Sequence, residues 1–331
     1  MANRQIVLKE KPSGKLAPEH FSLREVPVPT PGPGEVLART VLLSLDAANR
    51  AWMHGRTYTD PVESGDVMHG FTLARVEASN DPGFKPGDIV EAMNGWQDYA
   101  VHKPKALAKV TPVKPLSYAM SVLGVTGKTA YFGMLEIGKP KPGETVLVSA
   151  AAGAVGSIAG QIAKLKGARV IGIAGGPKKC AWLREIGFDG AIDYRNEDVG
   201  AALDRLCPDG VDVNFENVGG DIMNAVIARM NTFSRMPLCG LISTYNAEVA
   251  AGPADFGRVL MKRILIRGFI VINYLPRAGE AFAELAPWVA SGQLKWKAHV
   301  VEGLENAAEA VNRLFTGDHD GKLLVQISPE P

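Results

Sequence analysis

The pattern of apolar and polar residues changes once along the chain, near Pro115. Before that point, short apolar or alternating runs such as RQIVLKE and EVLARTVLLSL are separated by turns rich in proline and glycine, which is typical of short strands. FKPGDIVEAMNGWQDYAVH predicts two strands of a small barrel, joined by a loop that carries Trp96 and Tyr99. The first part of the chain is therefore predicted to be a small β-rich domain.

After Pro115, SYAMSVLGVTGKTAYFGMLEIG has the apolar spacing of a helix, and strands and helices then alternate. The predicted strands are ETVLVSA, RVIGIAG, GAIDY, VDVNFENV, RMPLCGLIS and ILIRGFIV, and EAFAELAPWVASG is a late amphipathic helix. This alternation favours a parallel sheet covered by helices on both faces. The final segment returns to a mixed pattern and ends in a strand, LLVQI, so we expect it to rejoin the first domain. The predicted boundaries are 1–122, 123–296 and 297–331.

Composition limits the classes of partner. Hydrophobic residues are 46% and charged residues 21% of the 331, which is the balance of a globular protein with a large core. The formal net charge is +1, which gives no electrostatic basis for binding nucleic acid or an anionic membrane. A small anionic ligand remains compatible with scattered positive charge.

The three cysteines, Cys180, Cys207 and Cys239, are odd in number and widely spaced. This usage argues against a disulfide framework and for a reducing compartment. The N-terminal residues lack the apolar core of a signal peptide, and no apolar stretch approaches the roughly 20 residues that span a bilayer. We therefore expect a cytoplasmic protein.

The strongest local motif is ETVLVSAAAGAVGSIAGQIAKLKGARVIGIAG, an apolar strand that enters a glycine-containing turn, a helix and a second strand. In this arrangement the helix N-terminus binds the pyrophosphate of a dinucleotide, and glycines allow the phosphates to approach the backbone. Ala151 stands where the first glycine of the usual GxGxxG occurs, followed by Gly153 and Gly156. Glycine in a tight turn is a weak signal alone, but inside a strand–turn–helix–strand unit it predicts dinucleotide binding.

The second strand indicates which dinucleotide is bound. NAD sites usually have an acidic residue at the end of this strand, but here the strand ends in IAGGPKKCAW, with Lys178 and Lys179. Tyr194 and Arg195 follow the next strand, and this set suits the 2′-phosphate of NADPH. The alternative is that the lysines are ordinary surface charges.

A catalytic zinc site needs about three protein ligands, usually Cys and His. The first domain contains no cysteine, and its histidines, His20, His54, His69 and His102, lack ligand-like pairing. The sequence therefore predicts no metal, and reduction of an already activated substrate becomes the natural chemistry. In CGLISTYN, Tyr245 lies just beyond a predicted strand end and could donate a hydrogen bond or a proton, although a loop tyrosine is often a packing residue.

AAAGAVGSIAGQIAKLKG, DGVDVNFENVGG and CGLISTYN resemble the prostaglandin reductase and alkenal double-bond reductase branch of the zinc-independent medium-chain dehydrogenases and reductases, which includes leukotriene 12-hydroxydehydrogenase and curcumin reductase. The resemblance covers nearly the whole chain, including VLLSLDAANRAWM, GKTAYFGMLEIGKPKPGETVLV and GDHDGKLLVQI. It implies an α/β protein with a GroES-like β-barrel catalytic domain and a Rossmann domain with a doubly wound parallel sheet.

The resemblance also implies site residues. Lys179 and Tyr194 match positions that hold the 2′-phosphate, and Tyr245 matches a tyrosine that bonds the nicotinamide ribose and assists enolate stabilisation or protonation. The expected contacts of NADPH/NADP+ are Gly153, Ala154, Val155, Gly156, Lys179, Tyr194, Asn217, Cys239, Gly240, Ser243, Tyr245, Phe269, Val271 and His319. Three positions depart from the family pattern: Asn49 in DAANR, Lys128 in GKTAY and His319 in GDHDGK, and the sequence does not reveal their roles.

The expected reaction is NADPH-dependent reduction of the carbon–carbon double bond of an α,β-unsaturated aldehyde or ketone, with Tyr245 as the catalytic residue. Two alternatives stay open, an NADPH quinone reductase and an NADPH-binding protein with little catalysis. The family commonly forms homodimers through an edge strand, and ILIRGFIV is apolar enough for that role, although a buried central strand would have the same pattern. Candidate residues for an aromatic and apolar substrate pocket are Asn49, Met53, Tyr58, Trp96 and Tyr274.

Overall fold

A computed structural model describes residues 2–55, 57–111, 113–246 and 252–331 of the chain. These residues form two compact units. Unit 1 contains residues 1–120, 298–319 and 323–331, and unit 2 contains residues 121–297 and 320–322. The observed division at 120/121 lies two residues before the predicted boundary at 122/123, and the division at 297/298 lies one residue after the predicted boundary at 296/297.

Unit 1 begins with seven strands and two short helices. In chain order these are β1 (Ala2–Leu8), β2 (Phe21–Pro27), β3 (Val36–Ser44), α1 (Ala48–His54), β4 (Thr72–Ser79), β5 (Ile89–Ala92), β6 (Tyr99–His102), β7 (Ala108–Lys109) and α2 (Ser117–Met120). Strands β1 and β2 form an antiparallel pair. The long strand β3 is buried along most of its length and pairs with both β4 and β6, so it lies at the centre of this unit.

Unit 2 follows with the predicted alternation. Its elements are α3 (Val125–Phe132), which continues as a π-helical turn over Gly133–Gly138, β8 (Thr145–Val148), α4 (Ala154–Leu165), β9 (Arg169–Ala174), α5 (Pro177–Glu185), β10 (Gly190–Asp193), α6 (Val199–Leu206), β11 (Val211–Phe215), α7 (Gly220–Ile227), β12 (Met230–Leu238), α8 (Phe256–Met261), β13 (Leu265–Gly268) and α9 (Ala278–Ala290).

The chain then returns to unit 1 with β14 (Ala298–Glu302), α10 (Ala307–Ala310), α11 (Arg313–Thr316) and β15 (Lys322–Gln326). Within the described residues, unit 1 has a sheet in the order β14-β15-β3-β4-β5-β7, with β6 also paired to β3. The last strand is therefore part of the sheet of unit 1. No helix among the described residues is long and apolar enough to cross a membrane.

The sheet of unit 2 is parallel and has the order β10-β9-β8-β11-β12-β13. This is the doubly wound order of a Rossmann domain, in which the direction of strand addition reverses between the first and fourth strands. Strand β8 is buried at every residue, which explains its continuous apolar sequence. Gly160 of α4 lies against the ring of Phe188, which precedes β10, and a Cβ atom on Gly160 would overlap that ring. The predicted fold class is confirmed.

Candidate cofactor and active site

The strand order of unit 2 reverses between β8 and β11. In open parallel sheets, ligands bind beyond the carboxyl ends of the strands at such a reversal. Ser149 follows β8 and Glu216 follows β11, and the Ser149 hydroxyl donates a hydrogen bond to the Glu216 carboxylate at 2.9 Å. The two loops are therefore joined where a dinucleotide would be expected.

The glycine turn after β8 has the geometry that its sequence requires. The left-handed backbone conformation falls on Ala150, with φ 47°, and the amide of Gly153 donates to the Ala150 carbonyl at 2.9 Å. A Cβ atom on Gly156 would lie 2.5 Å from that carbonyl oxygen, so only glycine fits there. Ala151, by contrast, is fully buried and donates its amide hydrogen to Ile173, as a strand residue would. This explains why alanine replaces the first glycine of the usual motif.

The start of α4 fits a pyrophosphate. Gly153 is the N-cap residue and supplies no capping side chain. The first helical residues, Ala154, Val155 and Gly156, thus present backbone amides and the positive end of the helix dipole. These residues would hold the phosphates of NADPH without a side chain in the way.

The loops after β9 and β10 bring together the residues expected to hold the 2′-phosphate. Lys178 and Lys179 lie in the first turn of α5, and Tyr194 and Arg195 follow β10. A Cβ atom on Gly175 would lie 3.0 Å from the Tyr194 hydroxyl and 2.9 Å from Arg195 Nε. The absence of a side chain at Gly175 therefore allows the tyrosine and arginine to fold over the loop that leads to the lysines.

Asp193, at the end of β10, fixes these two loops to each other. Its Oδ1 atom accepts hydrogen bonds from the amides of Gly176 at 2.7 Å and Arg195 at 3.1 Å, and Oδ2 accepts from Asn196 at 2.7 Å. Burial alone would raise the pKa of Asp193, but these three hydrogen bonds outweigh it and hold the pKa below its ordinary value. The carboxylate is thus ionised and engaged by the protein itself.

Glu216 is a fully buried carboxylate that the sequence analysis did not select. Its Oε1 atom accepts hydrogen bonds from Ser149 Oγ at 2.9 Å, the Val218 amide at 2.7 Å and the Gly219 amide at 2.8 Å. Its Oε2 atom accepts from Asn214 Nδ2 at 2.8 Å. A buried carboxylate without a cation is tolerated when several donors share its charge, as here. Polar residues alternate with apolar ones in VDVNFENV, so the sequence alone does not distinguish Glu216 from Asp212 and Asn214.

The backbone of Glu216 extends the same network to a third loop. Its carbonyl oxygen accepts hydrogen bonds from the amides of Cys239 at 2.9 Å and Gly240 at 3.2 Å. The loops after β8, β11 and β12 are therefore all bonded to this one residue. Burial, and secondarily the negative charge of Glu216, raises the pKa of the Cys239 thiol to about 12.

Asn217 is held by three hydrogen bonds, two to Ser149 and one to Ile242. Its amide donates to Ser149 Oγ at 2.8 Å and its side chain donates to the Ser149 carbonyl at 2.7 Å. Its own carbonyl accepts from the Ile242 amide at 3.1 Å. The predicted cofactor asparagine is thus positioned between the glycine turn and the loop that leads to Tyr245.

The Tyr245 side chain folds back over its own loop. Its phenol oxygen accepts a hydrogen bond from the Leu241 amide at 3.3 Å, and Ser243 anchors the loop by donating to the Val218 carbonyl at 2.6 Å. Burial raises the pKa of Tyr245, and the smaller opposing effect of the Leu241 hydrogen bond does not reverse this. The phenol is therefore protonated at neutral pH, and its O–H can donate to a ligand.

Phe269 and Val271 lie beyond the end of β13, which stops at Gly268. The prediction of a strand through these residues is wrong because Phe269 turns into the core of unit 2, where its ring contacts Phe215 and Tyr274 edge-on. Val271 begins a 3-10 helix that contains Tyr274. Their contact with a cofactor stays a prediction.

The remaining candidate residues have varied surroundings. Met53 and Trp96 are fully buried in the main apolar cluster of unit 1, and Trp96 stacks on Phe21 at 5.6 Å.

Asn49 is also fully buried. Its side chain accepts a hydrogen bond from the Asp46 amide at 2.7 Å and donates one to the His69 carbonyl at 2.9 Å. The other four lie as follows: Tyr58 is exposed beside Trp52, Tyr274 stacks on Phe132 in unit 2, His319 Nδ1 lies 2.9 Å from the Arg313 carbonyl, and Lys128 lies on α3.

The structure therefore brings the Rossmann-domain candidates to one sheet edge, whereas the proposed substrate residues Asn49, Met53 and Trp96 have core packing or internal hydrogen bonds. In the described part of the chain, no group of three or more His, Cys, Asp or Glu residues is arranged to hold a metal ion.

Comparison with known proteins agrees with this architecture. Residues 4–110 match a family described as the N-terminal domain of oxidoreductase, and residues 154–291 match one described as zinc-binding dehydrogenase. The chain is 43% identical to NADPH-dependent curcumin reductase of Escherichia coli, over 98% of this chain and 97% of the relative. It is 37% identical to the NADP(+)-dependent 2-alkenal reductase of Nicotiana tabacum, over 100% and 99% of the two chains. The crystal structure of CurA from Vibrio vulnificus in complex with NADPH has a TM-score of 0.94 and 44% identity, covering 99% of this chain and 100% of that one.

The fold, the glycine turn and these relatives together define an NADP-dependent oxidoreductase with a Rossmann domain and a GroES-like domain. The chain belongs to the zinc-independent branch of the medium-chain dehydrogenase/reductase family that contains the curcumin, 2-alkenal and prostaglandin reductases. Its cofactor is NADPH/NADP+.

Proposed function

We propose that this protein reduces the carbon–carbon double bond of α,β-unsaturated aldehydes or ketones. The observation that carries the proposal is Tyr245, a protonated phenol held beside the loops of Asn217 and Cys239 at the carboxyl edge of the sheet. Relatives named for curcumin and 2-alkenal reduction support the same substrate class.

When bound, NADPH supplies the hydride, which this reaction adds to the β-carbon of the alkene. The protein's part is to position the reactants and to stabilise the negative oxygen that develops on the substrate. The Tyr245 O–H is the group proposed to donate to the ribose or to the enolate, and the α-carbon is then protonated from water or through Tyr245. Because the pKa of Tyr245 is raised, this donor stays protonated throughout the neutral range.

The proposed cofactor contacts lie beyond the carboxyl ends of strands β8 to β12. Amides at the start of α4, between Ala154 and Gly156, are proposed to hold the pyrophosphate. Lys179 and Tyr194 are proposed to hold the 2′-phosphate. Asn217 and the residues from Cys239 to Tyr245 are proposed to line the nicotinamide half.

The test is the oxidation of NADPH, followed by its absorbance, with a panel of enals, enones and quinones, and with NADH in parallel. We expect turnover of enones with a clear preference for NADPH. Activity with quinones alone would replace the proposal with a quinone reductase. No turnover with any electrophile, despite NADPH binding, would favour a binding protein with little catalysis.

We also propose a homodimer formed through β13. This strand is at the edge of the six-stranded sheet, Leu265 within it is 52% exposed, and Leu260 and Met261 nearby are exposed as well. Such an apolar edge would otherwise favour aggregation. Analytical ultracentrifugation of the wild type and of Leu265→Lys tests this proposal. A wild-type dimer that dissociates in the Leu265→Lys variant would support it. A wild-type monomer, with the variant unchanged, would contradict it. The cytoplasmic location stays a prediction.

A further inference from the structure

The short segment from Asp320 to Lys322 belongs to unit 2, although it comes from the end of the chain. Gly321 forms a parallel β-bridge with Gly153 of the glycine turn, and the Lys322 amide donates to the Lys297 carbonyl at 2.9 Å. Gly321 has φ +67°, and a Cβ atom on it would overlap the Lys297 carbonyl. The backbone at Asp320 is therefore fixed beside the turn that is proposed to bind the pyrophosphate.

Asp320 places a negative charge among lysines. Its Oδ2 atom lies 2.9 Å from Lys178 Nζ. The hydrogen bond from Lys178 is the main cause that holds the pKa of Asp320 below its ordinary value, and Lys297 and Lys179 act in the same direction. Asp320 is thus ionised at neutral pH, with the charges of these three lysines acting on it.

Two of those lysines are the pair expected to meet the 2′-phosphate that distinguishes NADPH from NADH. We propose that Asp320 is a specificity-determining residue, whose fixed carboxylate competes with the 2′-phosphate for Lys178 and so limits the preference for NADP(H) over NAD(H). The inference rests on the proposed function, in which Lys179 and Tyr194 hold the 2′-phosphate close to the neighbouring Lys178.

The sign of the effect follows from exposure. The side chain of Lys178 is 83% exposed, and an ion pair in solvent orients a lysine only weakly. Asp320 therefore contributes little by positioning Lys178. A carboxylate beside a site for a phosphate, by contrast, repels the phosphate and occupies its cation. Removal of the negative charge should therefore strengthen the binding of NADP+ more than that of NAD+, which shares the pyrophosphate but has no 2′-phosphate.

The experiment measures dissociation constants of NADP+ and NAD+ for wild-type protein and Asp320→Asn by calorimetric titration at low salt. We expect NADP+ to bind at least roughly threefold more tightly to the variant, with a smaller gain for NAD+, so that the ratio of NADP+ to NAD+ affinity rises. Asp318→Asn is the matched control, because it removes an equal charge from an exposed aspartate two residues away. Weaker or unchanged NADP+ binding in Asp320→Asn, an equal gain for NAD+, or an equal gain in Asp318→Asn would overturn the inference.

Lys179→Gln separates this inference from the proposed site. A Lys179→Gln protein with an unchanged ratio of NADP+ to NAD+ affinity would contradict the position of the 2′-phosphate itself. A reduced ratio in Lys179→Gln, together with an unchanged ratio in Asp320→Asn, would remove only the role of Asp320. Thermal unfolding of each variant shows whether the comparison is between folded proteins.

Discussion

The carboxyl edge of the six-stranded sheet holds its polar groups in two different ways. After β8, β11 and β12, the polar groups centre on Glu216, which is fully buried and bonded to fixed donors on every side. After β9 and β10, they are charged and exposed: the side chain of Lys178 is 83% exposed and Tyr194 is 44% exposed. Both regions belong to one sheet, yet one is rigidly bonded and the other is open to solvent.

This difference suggests a division of tasks. A buried network of hydrogen bonds fixes atoms in position, which suits the half of the site where hydride transfer is proposed. Exposed lysines attract an anion, and added salt screens this attraction. Such lysines suit recognition of the 2′-phosphate. Changes in the first region should therefore affect folding and turnover, whereas changes in the second should affect cofactor affinity.

The largest effect is expected for Glu216→Ala. The change removes the acceptor of four hydrogen bonds and leaves the part-buried amide of Val218 and the buried amide of Gly219 without it. We expect the free energy of unfolding to fall by about 3 kcal/mol, with loss of NADPH binding. Denaturant unfolding and cofactor titration measure the two effects.

Asp204→Ala is the control for Glu216→Ala. Asp204 is an exposed carboxylate of unit 2 that pairs with Arg229 at 2.6 Å. Since exposed ion pairs contribute about 0 to 1 kcal/mol, this variant should be nearly as stable as the wild type. Equal destabilisation by the two changes would contradict the special position of Glu216.

A smaller, catalytic effect is expected for Tyr245→Phe. Loss of the phenol should lower kcat by about 100-fold, as is usual when a proton donor is removed, with much less change in NADPH affinity. The ordinary pKa of tyrosine is about 10, and burial raises that of Tyr245. Ionisation of Tyr245 should therefore cause no loss of wild-type turnover below pH of about 10.

Tyr131→Phe is the matched control, since it removes a tyrosine hydroxyl that donates to Glu284 at 2.7 Å elsewhere in unit 2. It should leave kcat unchanged. Unchanged turnover in Tyr245→Phe would remove the proposed role of this tyrosine.

The smallest effect concerns ionic strength. Exposed charges interact over a Debye length of about 10 Å at 0.1 M salt, and the interaction weakens as salt is added. We expect NADPH affinity to fall severalfold between low and high salt, and Lys179→Gln to reduce this dependence. NADPH binding that does not respond to salt would contradict an electrostatic role for the exposed region.

The sequence predicted the order of the elements in unit 2 because apolar strands, glycine turns and amphipathic helices alternate without interruption. It was less accurate at strand ends. Strand β12 begins at Met230, before the predicted RMPLCGLIS, and ends at Leu238, which forms a final parallel bridge with Glu216. Strand β13 ends before Phe269, because that ring packs in the core. These ends depend on contacts between residues far apart in the chain.

The candidate site shows the same limit. Gly153 and Gly156 could be found because their conformation is local. Glu216 could not be recognised as a centre of hydrogen bonding, since its partners come from three separate loops. Met53 and Trp96 were chosen as pocket residues, but an apolar side chain has the same sequence signal in a pocket and in a core, and both are fully buried.

The thiols of all three cysteines have raised pKa values. Burial is the main cause that raises the pKa of each, to about 11 for Cys207 and about 12 for Cys239, and upwards for Cys180 as well. Thiolates, rather than thiols, add to electrophilic alkenes. Cysteines kept as thiols would therefore react slowly with the α,β-unsaturated substrates proposed for this protein.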